Sequence, residues 1–403
     1  MPEQHVGISK GTWAKLAPRA VYLHIPFCTN KCFYCDFNSY ISEGQPIDAY
    51  LDALERELQL TVTQVAPPQI ETIFVGGGTP TVLTPKQLER FLASVRKAFP
   101  DRSNSIEWTM EANPGTTDRD KLAVMREGGV NRISFGAQSF DAQELERIGR
   151  IHRVQDVFDS IDNARAEGFS NMSVDLMFGL PNQTAERFIN NVNVAHSLDL
   201  PHYSVYHLKI EEHTLFHTLY ERGELPLPEE DTESDMFRLL METMQRAGYR
   251  QYEISNFSRP GFESRHNNTY WRNEAYYGIG AGAHGYMHGV RHWNIKGVQG
   301  YIDACKAGLP HAETTPVTRY EAMEDFMMVG LRLLDGIYSN VFEMQFGVPV
   351  ERIFGDVLKR MTDKGLLDRI EFGGKMNYRL SERGIWLGNE VFGAFLGGTE
   401  KEG

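Results

Sequence analysis

The sequence predicts an α/β protein: a parallel sheet opened out as a partial (β/α)6 barrel, followed by a smaller α+β domain. Three observations predict it. Short apolar, β-rich runs alternate with amphipathic stretches over the first 250 residues, the pattern of β/α units joined by right-handed crossovers. Almost every apolar run ends in small or chargeable residues, as at Gly76-Gly77-Gly78-Thr79, Glu111, Gln138 and Asp175, and barrel sites collect at the C-terminal strand ends. Six such units occur where a closed barrel has eight, so an incomplete, open barrel is expected.

The six strands are expected at Ala20 to Pro26, Glu71 to Val75, Ser105 to Glu111, Arg132 to Ala137, Met172 to Phe178 and His202 to Lys209. Helices are expected at Ile47 to Val65, Pro85 to Phe99, Arg119 to Glu127, Val154 to Glu167, Thr184 to Leu198 and Glu233 to Gly248. This divides the chain into an extension (1–19), the barrel (20–250), a segment at 251–309 and a C-terminal domain (310–403). Between Tyr249 and Trp293, ten Tyr, Trp and Phe residues fall in 45 positions against an overall aromatic share of 11%, and the segment is read as a cover or binding element. The last domain shows helical patterns at Tyr320 to Leu334 and Val350 to Lys364, then a hairpin turned at Gly373-Gly374, a winged-helix-like order. Residues 310–403 carry 15 acidic and 11 basic side chains, so a structural or protein-docking role is favoured over DNA binding.

Composition removes whole classes of function. Hydrophobic residues at 41% and charged ones at 24% exclude disordered and fibrous chains. A net charge of −13 argues against a nucleic-acid partner. No stretch approaches the roughly 20 apolar residues of a membrane span, and the N-terminus has no apolar run before a cleavage site, so a cytoplasmic protein is expected.

Three of the four cysteines, Cys28, Cys32 and Cys35, form a C-x3-C-x2-C loop directly after the first strand. Three thiolates on one loop can hold three irons of a [4Fe–4S] cube and leave the fourth open to a small molecule. The rivals are a structural zinc site that adds His24, which would have to fold back from the strand, and three incidental buried thiols. Cys305 stands alone in a helical stretch and is read as a buried thiol.

This motif behind the first strand of a β/α barrel resembles the radical S-adenosylmethionine (SAM) superfamily. Within it, the chain is most similar to the group of oxygen-independent coproporphyrinogen III dehydrogenases (HemN) and HemW-type haem chaperones. Five ordered blocks carry the resemblance: Tyr22 to Cys28, Gly76 to Thr81, Glu111 to Pro114, Ser134 to Phe140 and Asp175 to Pro181. The resemblance implies a radical SAM partial barrel in which the open iron chelates SAM and electron transfer yields a 5′-deoxyadenosyl radical. It further implies SAM contacts from Tyr22, Gly77, Gly78, Thr79, Glu111, Gln138, Arg150 and Asp175, some of them to a second SAM molecule. Glycines at a strand end also allow close backbone approach and offer N–H groups to a carboxylate. The plain alternative for Arg150 is a solvated charge at a helix end.

Two features separate the sister groups. The dehydrogenase motif continues to a fourth cysteine where this chain has Phe37, and His266-Asn267-Asn268-Thr269-Tyr270-Trp271 matches the H-N-x-x-Y-W motif of the HemW type. That match implies haem binding by His266, with His284, His288 and His292 as the next candidates; Tyr270 and Trp271 either touch porphyrin or only pack. The expected function is a haem chaperone that binds haem and passes it to haem-requiring proteins, with an electron donor serving the cluster. The alternatives are a coproporphyrinogen III dehydrogenase and, more remotely, a zinc-stabilised binding protein, so whether the chain is an enzyme stays open.

Overall fold

The computed structural model describes residues 13–15 and 17–397. Most of the expected extension at 1–19 therefore lies outside the described residues. The six expected strands form as β1 (Ala20–Ile25), β2 (Ile70–Gly77), β3 (Arg102–Ala112), β4 (Arg132–Gln138), β5 (Asn171–Phe178) and β6 (His202–His207). They lie side by side in chain order and all parallel. Val21, Leu23, Ile133, Phe135, Val174 and Leu176 are fully buried, as expected of a parallel sheet with helices against it.

Six helices alternate with these strands: Ile47–Gln64, Pro85–Ala98, Arg119–Gly128, Val154–Ala166, Ala185–Ser197 and Glu230–Arg246. Their starts are written in the sequence. Thr84, Asp118 and Thr184 each accept the backbone N–H three residues on, satisfying a donor that the first helical turn leaves free.

The aromatic segment at 251–309 is more than the cover or binding element expected: five stretches of it join the sheet. β7 (Arg250–Glu253) and β8 (Asn256–Ser258) pair antiparallel beyond β6. β9 (Tyr276–Ile279) adds a seventh parallel strand on the free side of β1. β10 (His284–Met287), β11 (Val290–Asn294) and β12 (His311–Pro316) continue antiparallel from it. The order of the twelve-stranded sheet is therefore β12-β11-β10-β9-β1-β2-β3-β4-β5-β6-β8-β7. The physical reason is the edge of β1, whose backbone groups would stay unpaired beside a buried core; Tyr277 and Ile279 of β9 are fully buried there.

The C-terminal region has its own core around Phe342, Val350, Phe354 and Leu367. The helices Arg319–Gly330, Ser339–Phe346 and Val350–Asp363 precede a hairpin of β14 (Leu367–Phe372) and β15 (Lys375–Leu380), to which β13 (Ile337–Tyr338) adds a third strand. Gly373 (φ 60°) and Gly374 (φ 73°) turn the hairpin, as a two-residue turn with both φ positive requires. This unit is latched to the edge of the large sheet: Leu334 N–H donates to the Tyr252 carbonyl at 3.0 Å, and Arg332 lies 3.5 Å from Glu253. Its last helices, Glu382–Trp386 and Gly388–Gly393, thereby reach the C-terminal ends of the barrel strands. No helix among the described residues is long and apolar enough to cross a membrane.

Candidate functional site

A cleft of about 1030 Å³ opens at those strand ends. Its wall brings together Cys28, Cys32, Cys35, Gly77, Gly78, Thr79, Glu111, Gln138, Arg150 and Asp175, residues spread over 148 positions of chain (28 to 175). Tyr22 and His266 are not in that wall.

The cysteine loop is held at its base and its tip. Phe27–Cys28 pairs with Tyr40–Ile41, and the Lys31 ammonium donates to the Phe37 carbonyl at 2.8 Å and to Ser39 Oγ at 3.0 Å. The tip docks on the turn after the helix Ala142–Arg147: Phe33 N–H donates to the Ile148 carbonyl at 3.1 Å, and Asn30 Nδ2 to the Gly149 carbonyl at 2.7 Å. Gly149 (φ 72°) has no room for a side chain, since a Cβ would stand 2.8 Å from the Phe33 ring. This docking carries the next residue, Arg150, into the cleft.

A circuit of hydrogen bonds then joins two of the cysteines across three strand ends. Thr79 Oγ1 donates to Cys28 Sγ (3.6 Å) and accepts from Asn113 Nδ2 (2.8 Å). Asn113 Oδ1 accepts from Arg150 Nη2 (2.8 Å), and Arg150 Nη1 donates to Cys32 Sγ at 3.5 Å. Arg150 is also tied to the Gly136 carbonyl. It is thus no solvated helix-end charge. Asn113 was missed as a site residue, although it stands in the Glu111-to-Pro114 block. Burial raises the Cys28 and Cys35 thiols, while Lys31 nearby works in the opposite direction.

The N–H groups of the glycine turn have partners within the protein. Gly77 N–H donates to Glu111 Oε2 at 3.1 Å, Gly78 N–H to the Ile25 carbonyl at 2.8 Å and Thr79 N–H to the Phe27 carbonyl at 2.7 Å. The N–H groups are therefore spent inside the protein. Side chains are excluded by the protein itself: a Cβ at Gly77 (φ 112°) would stand 2.4 Å from the His24 ring, and one at Gly78 2.5 Å from the Phe27 carbonyl.

His24 is buried, and both its ring nitrogens are engaged. Nε2–H donates to the Asn38 carbonyl (2.8 Å), and Nδ1 accepts from the Tyr22 hydroxyl (2.9 Å). This removes His24 from the Cys3His zinc set, and among the described residues no three His, Cys, Asp or Glu side chains converge to hold a single ion. It also explains Tyr22, which lies beneath the cleft and orients His24.

Two carboxyls stand deeper in the cleft. Burial and the neighbouring Asp175 push Glu111 up to about 8, and burial likewise raises Asp175, which accepts from Ser134 Oγ at 3.0 Å. Gln138 closes this wall from a left-handed backbone (φ 67°), uncommon for a side-chain-bearing residue and frequent where a site dictates the geometry.

With this geometry in hand, comparison with known proteins places the chain. The radical SAM superfamily matches residues 22–195 and the HemN C-terminal domain residues 317–387. "Heme chaperone HemW" of Bacillus subtilis strain 168 is 45% identical over 94% of this chain and 99% of its own length. The protein of the same name from Lactococcus lactis is 39% identical over 94% and 97%. This chain belongs to the HemW family. The solved structure of coproporphyrinogen III oxidase (HemN) from Escherichia coli superposes with a TM-score of 0.82 at 23% identity, covering 95% of this chain and 92% of that one; it shows the shared fold.

Radical SAM membership implies a [4Fe–4S] cluster and SAM, and the donor set fits. Three thiols face one cleft with no fourth protein ligand beside them among the described residues, a hydroxyl and a guanidinium donate to two of the sulfurs, and buried carboxyls lie nearby to meet an amino group.

The HemW motif sits on the helix Arg265–Trp271, which splits it by helical periodicity. Asn267 and Trp271, four apart, face the cleft. His266 and Tyr270 face inward instead, with His266 Nε2 2.9 Å from the Tyr270 hydroxyl, Nδ1 2.9 Å from Thr72 Oγ1 and no exposed surface. Burial holds its pKa down to about 3, and its backbone N–H joins that of Arg265 on the Glu107 carboxylate. Haem ligation by His266, which the motif implies, would require this imidazole to give up both hydrogen bonds. The reserve histidines are no nearer: His284 and His292 lie on β10 and β11, and His288 on the turn between them.

Proposed function

We propose that this protein is a cytoplasmic haem chaperone that binds haem and passes it to haem-requiring proteins, with a [4Fe–4S] cluster and SAM as resident cofactors and a separate electron donor. The observation that carries this reading is a single cleft joining the three thiols, through the strand-end polar residues, to an aromatic wall supplied partly by the C-terminal domain. Relatives named for haem delivery match over nearly the whole chain.

Bound there, the cluster supplies one-electron chemistry to SAM at its open iron. Cys28, Cys32 and Cys35 hold the three other irons. Thr79, Asn113 and Arg150 fix the thiolates and offset their charge, because donors to sulfur tune a cluster. Gly77, Gly78 and Thr79 line the cleft beside the methionine part of SAM, and Glu111 would accept a hydrogen bond from its amino group, which draws the carboxyl toward its ionised form. Gln138 and Asp175 line the remainder of the pocket, and Tyr22 acts through His24. The acidic C-terminal domain closes the cleft and presents a protein-docking face.

The test is transfer. Haem-loaded, cluster-reconstituted protein mixed with an apo-haemoprotein under anaerobic conditions should hand over haem faster than free haem is captured from a non-specific carrier such as albumin. Equal rates would remove the chaperone reading.

A further inference from the structure

The aromatic wall of the cleft contains a histidine of another kind. His207 ends β6, and its side chain is 44% exposed. It lies among the cleft-lining residues, where His266 does not. We propose that His207 is the axial ligand of haem bound in this cleft, a proposal that rests on the haem-binding reading above.

Four observations carry it. The ring sits in a built niche: Gly179 (φ 75°) lies under it, and a Cβ there would stand 2.9 Å from the imidazole. Its Nε2 is 3.1 Å from Glu233 Oε2. A carboxylate that fixes one edge of an imidazole is the usual support for a metal-ligating histidine, since it orients the ring and raises its basicity. The imidazole is left partly exposed and lines the cleft.

Next to it runs a row of aromatic rings, of which Phe178 and Phe237 are buried and Trp386 is exposed. The Phe178 ring is 4.9 Å from His207 and 6.0 Å from Phe237, and Phe237 is 4.7 Å from Trp386. That row crosses from the barrel to the C-terminal domain and ends on the exposed ring of Trp386, whose flat aromatic face suits a porphyrin. Lys209, two residues past His207, brings an exposed ammonium to the same wall for a propionate. His266, by contrast, must break hydrogen bonds at both ring nitrogens before it can meet an iron.

Resonance Raman in the Soret band of the reduced, haem-loaded holoprotein separates the candidates through the iron–imidazole stretch. That stretch should appear in the wild type and in His266→Ala, disappear in His207→Ala and return when free imidazole is added. Haem retention in His207→Ala should fall about tenfold, with cluster iron unchanged. His207→Gln, closer in size, should behave as His207→Ala does and guards against a folding defect. A stretch and affinity that persist in both variants overturn the proposal, as does a stretch lost in His266→Ala alone. A wild type that holds haem without any iron–imidazole stretch overturns it too. A wild type that retains no haem at all removes the haem reading itself, a distinguishable result.

Discussion

The cysteine loop and the H-N-x-x-Y-W helix are equally conspicuous in the sequence, yet the fold treats them in opposite ways. The loop turns its thiols into a cleft, where Thr79 and Arg150 reach two of them. The helix turns its histidine into the core, where Thr72 and Tyr270 take both nitrogens. The difference teaches that a motif declares chemical type, while exposure is decided by what neighbouring strands offer. β2 supplies both environments: Thr72 near its start binds the imidazole, and Gly77 at its end lies at the cleft.

The largest effect that sharpens this comparison is on iron. Ala at Cys28, Cys32 or Cys35 should abolish the cluster, about four irons per chain in the wild type, whereas Cys305→Ala, in the core beside Glu57, should keep it; iron and sulfide analysis after anaerobic reconstitution reads both. Equal iron in all four variants would break the assignment. Next, His266→Ala should cost about 2–4 kcal/mol of stability, because it opens a cavity and strands Thr72 and Tyr270. Denaturant melts would show this, and a variant as stable as wild type would mean the imidazole is not the internal strut described.

Asn113→Ala should cost less, about 1–3 kcal/mol, by leaving Arg150 and Thr79 short of a partner. Its signature is faster loss of iron to a chelator with the fold intact; an unchanged rate would show the circuit to be idle. The smallest effect is on pH. Glu111 is raised to about 8, so it is protonated at lower pH and must release a proton to accept fully from the amino group of SAM. SAM affinity should therefore rise with pH up to about 8, by at most about tenfold per unit, and calorimetry showing a fall or a flat profile would refute the pairing.

The barrel was legible because parallel strands are apolar on both faces, and the polar residue ending each run marked the cleft. What escaped was what depends on partners. β9 was hidden because Tyr276-Tyr277-Gly278-Ile279 carries no long β-branched run and forms by completing the edge of β1. Asn113 carries no charge to flag it, and its role exists only once Thr79 and Arg150 are brought to either side. His207 sat inside an expected strand, where nothing distinguished it from a core residue until Gly179 and Glu233 framed it. The inward turn of His266, however, was readable, since His266 and Tyr270 share one helix face and Asn267 and Trp271 the other.

The central claim is that this radical SAM fold carries haem and does not make its precursor. One anaerobically reconstituted sample, supplied in parallel with haem and with coproporphyrinogen III plus SAM and a reductant, tests it most directly. The account predicts stoichiometric haem retention and no decarboxylated product, in keeping with Phe37 in place of the dehydrogenase's fourth cysteine. SAM-dependent decarboxylation with no haem retained would contradict it.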